Sequence, residues 1–189
     1  MLRAVEYCHH LLRSHVAPGD VVVDATAGNG HDTLLLAQLT TPGGLVFACD
    51  VQPAALAATQ RLLDSAGIPA GSVRLIESGH QHLAAILPPE HRGRIAVVVF
   101  NLGYLPGGDH ALTTTATTTI PAIQQALELL RPGGLIVAVL YTGHPGGADE
   151  ADALRTFAAA LPGTAWLVTE HRTLNTARPA PSVLAIRRQ

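Results

Sequence analysis

The chain has 189 residues, 48% of them hydrophobic and 14% charged, which suits one globular domain with a full-sized core and excludes a disordered chain. Its net charge is −2 with histidine neutral, and all twelve basic residues are arginine, so no overall basic excess marks a protein that grips long nucleic acid. No apolar run reaches bilayer length, and the two cysteines, Cys8 and Cys49, make neither a disulfide framework nor a metal-ligand spacing.

The chain opens on a predicted amphipathic helix over residues 2–16, with Val5, Cys8, Leu12 and Val16 roughly on one face. His9, His10 and Arg13 interrupt it where a signal peptide would be apolar, which points to a cytoplasmic protein. Residues 21–23 form a short β-branched strand of the kind covered on both faces, and 31–39 a helix. Strand 45–50 leads to a helix over 53–66, with Pro53 in its first turn and Gly67 just past its end. Strand 73–76, a short helix near 81–87 and strand 95–100 follow. The run 113–119, TTTATTT, reads as a loop that caps a long helix, and Gly133-Gly134 reads as that helix's stop. Strand 135–141, helix 149–161 and strands 166–170 and 183–186 complete the order.

Alternating strands and helices with short connections predict an α/β fold: a single Rossmann-like domain over residues 1–189, its sheet mostly parallel and doubly wound. The last two strands have no helix between them, so one strand near the C-terminus is antiparallel. Histidines number ten but are scattered, which leaves no candidate metal site.

In such sheets ligands bind beyond the carboxyl ends of the strands. After the first strand comes DATAGNGHDT, residues 24–33, where Gly28 and Gly30 allow a tight turn and close approach before a helix N-terminus. Asp50 stands twenty residues after Gly30, at the end of the second strand, where a carboxylate accepts both ribose hydroxyls. Thr33 replaces the third glycine of a dinucleotide fingerprint, and without lysine there is no phosphate loop. Asp24 and Asp32 would repel a pyrophosphate. They suit a ligand with an ammonium and a sulfonium, and S-adenosylmethionine carries both, plus a ribose for Asp50.

The Asp-x-Thr-x-Gly-x-Gly run resembles the first motif of class I S-adenosylmethionine-dependent methyltransferases, with Thr26 where many members have glycine. The resemblance implies that Asp24, Thr26, Gly28, Asn29, Gly30, Asp32 and Thr33 line the methionine end of the cofactor. Asp50 would hold the ribose with Val51 beside it, and Ser78 or His80 the adenine. At the end of the fourth strand, Asn101-Leu102-Gly103-Tyr104 resembles the Asp/Asn-Pro-Pro-Tyr/Phe motif of amino-methyltransferases. There a side-chain oxygen and a backbone carbonyl aim the target nitrogen, and an aromatic ring packs on the substrate.

Together, FNLGYLPGGDH (residues 100–110), the TTTI run, LELL.PGGLI and GHPGG resemble small bacterial methyltransferases of the rRNA-methylase type, associated with tRNA wobble-uridine modification. That resemblance implies conversion of 5-aminomethyl-2-thiouridine to its methylaminomethyl form, by a homodimer acting at the tRNA anticodon. Asn101, Leu102 and Tyr104 would be catalytic, with Asn101 also beside the cofactor. Gly103, Asp109, His110, Tyr141, His144 and Pro145 would form the substrate rim, with His110 or His144 taking the departing proton.

Arg178 in the C-terminal loop, with Arg3, Arg13 and Arg172, would meet phosphate. The loop NTARPAPS departs from the amide-rich, Pro-Pro pattern of the family. Alternatives remain open: an rRNA or small-molecule amine or hydroxyl acceptor, or a non-catalytic binding or dimerisation module.

Overall fold

A computed structural model describes residues 2–105, 107, 112–177 and 179–189. Seven strands form one sheet in the order β3-β2-β1-β4-β5-β7-β6. They are β1 (Val21–Asp24), β2 (Leu45–Asp50), β3 (Val73–Glu77), β4 (Ile95–Leu102), β5 (Leu130–Leu140), β6 (Trp166–His171) and β7 (Ser182–Arg188). Only β7 runs against its neighbours, pairing antiparallel with both β5 and β6. Six helices cover the sheet: α1 (Ala4–His15), α2 (His31–Thr40), α3 (Pro53–Ser65), α4 (Leu83–Ile86), α5 (Ala116–Leu129) and α6 (Gly147–Ala159). No described helix is long and apolar enough to cross a membrane.

The two faces of the sheet follow the period-2 alternation of strand side chains. Val22, Val46, Val97 and Val99 pack with Cys8 and Leu12 of α1, Leu35 and Leu36 of α2 and Leu63 of α3. Val23, Phe47, Val98 and Phe100 pack on the other side with α4, α5 and α6. The N-terminal helix is therefore part of one layer; fully burying Leu12 alone stabilises the fold by roughly 2 kcal/mol.

Of the boundaries that differ from expectation, two bear on the site. β4 does not stop at Phe100, because Asn101 and Leu102 still pair with Val139 and Leu140 of β5. α5 ends at Leu129 rather than at the glycines: Leu130 is already extended and pairs with Ile95, and Arg131 precedes Pro132, which biases it out of the helical region. The threonine run does cap α5: Thr115 is its N-cap in a reciprocal box with Thr118.

Because Asn101 continues β4, its side chain shares the face of Val97 and Val99, the face covered by α1 and α2. Leu102 falls on the opposite face, in the core with Phe100.

Candidate functional site

Strand order reverses between β1 and β4, and the segments that follow their carboxyl ends enclose a crevice. On the β1 side the chain turns through Gly28 (φ +54°) and Gly30 (φ +86°) into α2. A Cβ on Gly30 would lie 2.8 Å from the Thr59 Cα, so the glycine is required both by its dihedral and by the approach of α3. Thr59 Oγ1 donates to the Gly28 carbonyl at 3.1 Å and ties the loop down.

Asp24 and Thr33 do not line the crevice as expected; they lie fully buried beneath the loop. Thr33 Oγ1 donates to Asp24 Oδ2 at 2.6 Å and the Thr26 N–H to Oδ1 at 3.2 Å, so this carboxyl shapes the turn. Burial, and then the nearby Asp32 carboxylate, push its pKa up to about 7. Gly30 likewise faces α3 and not the cavities.

Asp50 stands at the end of β2 and accepts the Gly28 N–H and the Gln52 N–H, each at 2.9 Å. It thereby fixes the loop, and each carboxylate oxygen keeps a second lone pair for a ligand hydroxyl. Beside it opens a cavity of about 350 Å³, lined among others by Val51, Ser78, His80, Leu105 and Thr113. Val51 is exposed, an apolar surface for a flat ring. His80 Nε2 and Thr113 Oγ1 are buried without hydrogen-bond partners among the described residues. Burial lowers the His80 pKa to about 4, which keeps the ring neutral. Two orphaned polar atoms, an apolar wall and a carboxylate fit the adenosine half of S-adenosylmethionine.

A second cavity, of about 640 Å³, lies on the α1 side. Its walls come from Val5 and His9, from Thr26 to Asn29 with His31 and Asp32, from residues 141–144, and from Pro179 and Pro181. The two cavities meet at Thr26, Gly28, Asn101, Gly103 and Tyr104. At that junction the Asn101 backbone N–H donates to Thr26 Oγ1 at 2.7 Å, and its Nδ2 donates to Asp32 Oδ2 at 2.7 Å. His9 Nε2 lies 2.7 Å from the other Asp32 oxygen. Burial opposes ionisation of Asp32, but the bonds from His9 and Asn101 outweigh it and hold its carboxyl below the usual range. With Nδ2 engaged, the Asn101 carbonyl oxygen is the amide's remaining acceptor.

Leu102 is buried on the far face, and its carbonyl already accepts the Tyr141 N–H at 3.2 Å, leaving one lone pair. Tyr104 is 40% exposed and bridges to Thr113; its ring meets that of His144 edge to face at 5.8 Å. His144 lines the larger cavity with its Nε2 buried and without a hydrogen-bond partner among the described residues, and burial raises the Tyr141 pKa. Pro145 is not among the lining residues; its carbonyl lies 3.0 Å from His144 Nδ1. Asp109, His110 and Arg178 lie outside the described residues. Of the other arginines expected on one face, Arg3 pairs with Glu6 at 3.2 Å and Arg13 reaches the His9 carbonyl at 3.4 Å.

The sequence reading missed His9, which entered it only as a break in an apolar run. The sole signal was its position beside the buried stripe of α1. Of the acceptors expected to aim an amine, the Asn101 amide stands at the junction of the two cavities, whereas Leu102 is not among the lining residues of either; an amide oxygen there can orient an amine and tolerate positive charge developing on its nitrogen.

A family model described as "Putative rRNA methylase" matches residues 46–187. The chain is 38% identical over 192 residues to the chloroplastic tRNA (mnm(5)s(2)U34)-methyltransferase of Arabidopsis thaliana, covering 96% of this chain and 68% of that protein. A crystal structure described in the same words as the family, from Clostridium thermocellum, superposes with a TM-score of 0.94 at 35% identity, over 100% of this chain and 99% of that one. A Streptococcus mutans methyltransferase crystallised with SAH superposes with a TM-score of 0.89 at 32% identity, over 100% and 99% of the two chains.

Proposed function

The chain belongs to this rRNA-methylase family and is an S-adenosylmethionine-dependent methyltransferase, and from that premise we propose that it methylates the aminomethyl nitrogen of 5-aminomethyl-2-thiouridine at the tRNA wobble position. The observation that carries this reading is the Asn101 amide: its nitrogen is held by Asp32 at the junction of the two cavities, so its oxygen is the group left to receive an amine N–H. The relative from Arabidopsis, whose name specifies that nucleoside, supports the choice of amine.

S-adenosylmethionine supplies an electrophilic methyl group. In this reading Asp50 holds its ribose, Val51, Ser78 and His80 surround its base, and Thr26, Gly28, Asn29 and Asp32 border its amino-acid end. Asn101 Oδ1 and the free lone pair of the Leu102 carbonyl accept the two N–H groups of a neutral primary amine. That leaves the nitrogen lone pair pointing in line toward the junction. As the nitrogen becomes cationic, the same two dipoles stabilise it. Tyr104 packs beside the uracil ring, a role suited to a splayed anticodon base. In this reading His144, which lines the same cavity, takes the proton that the nitrogen releases.

The test is nucleoside mass spectrometry on tRNA bearing 5-aminomethyl-2-thiouridine after treatment with the protein and cofactor. One added methyl on that nucleoside is the expected result, and its absence sinks the proposal. The second reading is a small-molecule amine, favoured by the lack of arginine among the described residues lining either cavity. Faster turnover of the free nucleoside than of the tRNA would select it.

A further inference from the structure

His9 stands on α1, outside the strand-helix units that build the crevice, yet it lines the larger cavity. Its Nε2 lies 2.7 Å from Asp32 Oδ1, while Asp32 Oδ2 accepts from Asn101 Nδ2 at 2.7 Å. The three side chains come from α1, the first turn of α2 and the end of β4. Parity in β4 makes the chain of bonds possible, since Asn101 shares the face on which α1 and α2 pack.

An amide is nearly symmetric in shape, and only its partners decide which end faces a substrate. An ionised Asp32 is acceptor-only, so it holds the Asn101 nitrogen and turns the oxygen outward. A protonated Asp32 carries a hydroxyl donor, which the Asn101 oxygen would accept. The amide would then rotate and present an N–H, a group that cannot receive an amine. Asp32 is nearly buried, with 11% of its side chain exposed, so ionisation there needs a second donor besides the amide. His9 is that donor.

We propose that His9 is a positioning residue for the methyl acceptor: by donating to Asp32 it keeps that carboxylate an acceptor, and so fixes the Asn101 amide with its oxygen toward the substrate cavity. The inference rests on Asn101 as the amine-receiving group, and it gives Asp32, which borders the cofactor's amino-acid end, a second task on the acceptor side of the site. α1 thereby contributes to chemistry as well as to packing.

The replacement series His9→Ala, His9→Gln and His9→Asn separates this role from packing. A glutamine amide nitrogen reaches about as far from the backbone as histidine Nε2 and remains a neutral donor, whereas asparagine is a bond too short. With aminomethylated tRNA as substrate, His9→Ala is expected to lower kcat about tenfold or more, the scale of a lost hydrogen bond to a charged group. S-adenosylmethionine affinity by calorimetry should stay within about twofold of the parent. His9→Gln should restore kcat to within about threefold of the parent, and His9→Asn should not.

A second readout needs neither substrate nor turnover: the side-chain amide resonances of Asn101 in an ¹⁵N-labelled full-length protein. Bonding to a carboxylate shifts one amide proton downfield, and His9→Ala should collapse that shift while His9→Gln keeps it. An unshifted Asn101 amide in the parent, or one unchanged in His9→Ala, overturns the inference. Equal loss in the alanine and glutamine variants, or loss of cofactor binding alongside activity, also overturns it. If the parent protein methylates no aminomethylated tRNA, the tRNA reading fails while the resonance experiment still decides the role of His9.

Discussion

The adenosine-side cavity takes its principal polar walls from segments that directly follow the ends of β1, β2 and β3: Thr26 and Gly28, Asp50 to Gln52, and Ser78 to Gln81. The larger cavity adds to the segment from Thr26 to Asp32 the first turns of α1, the end of β4, the segment after β5 and two prolines before β7. The smaller cavity thus leans on consecutive βα units and is closed by Leu105, Thr113 and Thr114. The larger one shares the β1–α2 unit and depends further on distant segments brought to the same edge of the sheet. Asn101 belongs to both, which makes it the position where binding and chemistry separate.

The sharpest way to break that contrast is Asn101→Ala. On the proposed reading it removes the acceptor that aims the reacting nitrogen, and kcat on aminomethylated tRNA should fall about a hundredfold or more, the scale seen for one oriented dipole at a transition state. Cofactor affinity should change far less; an equal loss of both in calorimetry and kinetics would show that the two cavities are not functionally distinct.

Gly30→Ala probes the loop they share. A side chain at φ +86° that also meets the Thr59 Cα at 2.8 Å should destabilise the fold by about 2 kcal/mol, read as a lower midpoint in urea. With Asp50 as the proposed ribose holder, Asp50→Ala should weaken S-adenosylmethionine binding about tenfold, the Gly28 turn being loosened as well. Its kcat at saturating cofactor should fall less than that of Asn101→Ala.

Stability should also depend on pH. Asp24 titrates at about 7 in the folded protein against a usual value of 3.8, so the folded state holds a proton that the unfolded chain releases. Stability contributed at this site therefore falls as pH rises from about 4 to about 7. Asp32 is held below the usual range, so its contribution is lost only as pH falls below that window. Asp24→Asn should flatten the decline between pH 4 and 7 in a denaturant titration series, and an unchanged slope would remove Asp24 as its source.

Much of this architecture is legible in the residue order. Short β-branched runs separated by helices of matching length dictate a parallel sheet, because only right-handed crossovers connect such units. Gly28, Gly30 and Asp50 announce the cofactor edge, since a φ above zero and a close backbone approach leave few residue types available. The β4 boundary was misplaced because the polarity change at Asn101 marks where the ligand crevice begins and not where backbone pairing ends: Asn101 and Leu102 still ladder with β5. Asp24 and Thr33 were placed at the ligand because chain proximity to the glycines says nothing about whether a side chain lies above the loop or under it.

Sequence by itself determined the order of elements, the glycine turn, the carboxylate of β2 and the amide and aromatic residues after β4, all consequences of local backbone requirements and alternation. Tertiary structure alone decided that α1 borders the larger cavity, that His9 reaches Asp32, and that Asp32 holds the Asn101 amide nitrogen. Those contacts join residues 23 and 69 positions apart, and no periodicity within a single element encodes a hydrogen bond between elements.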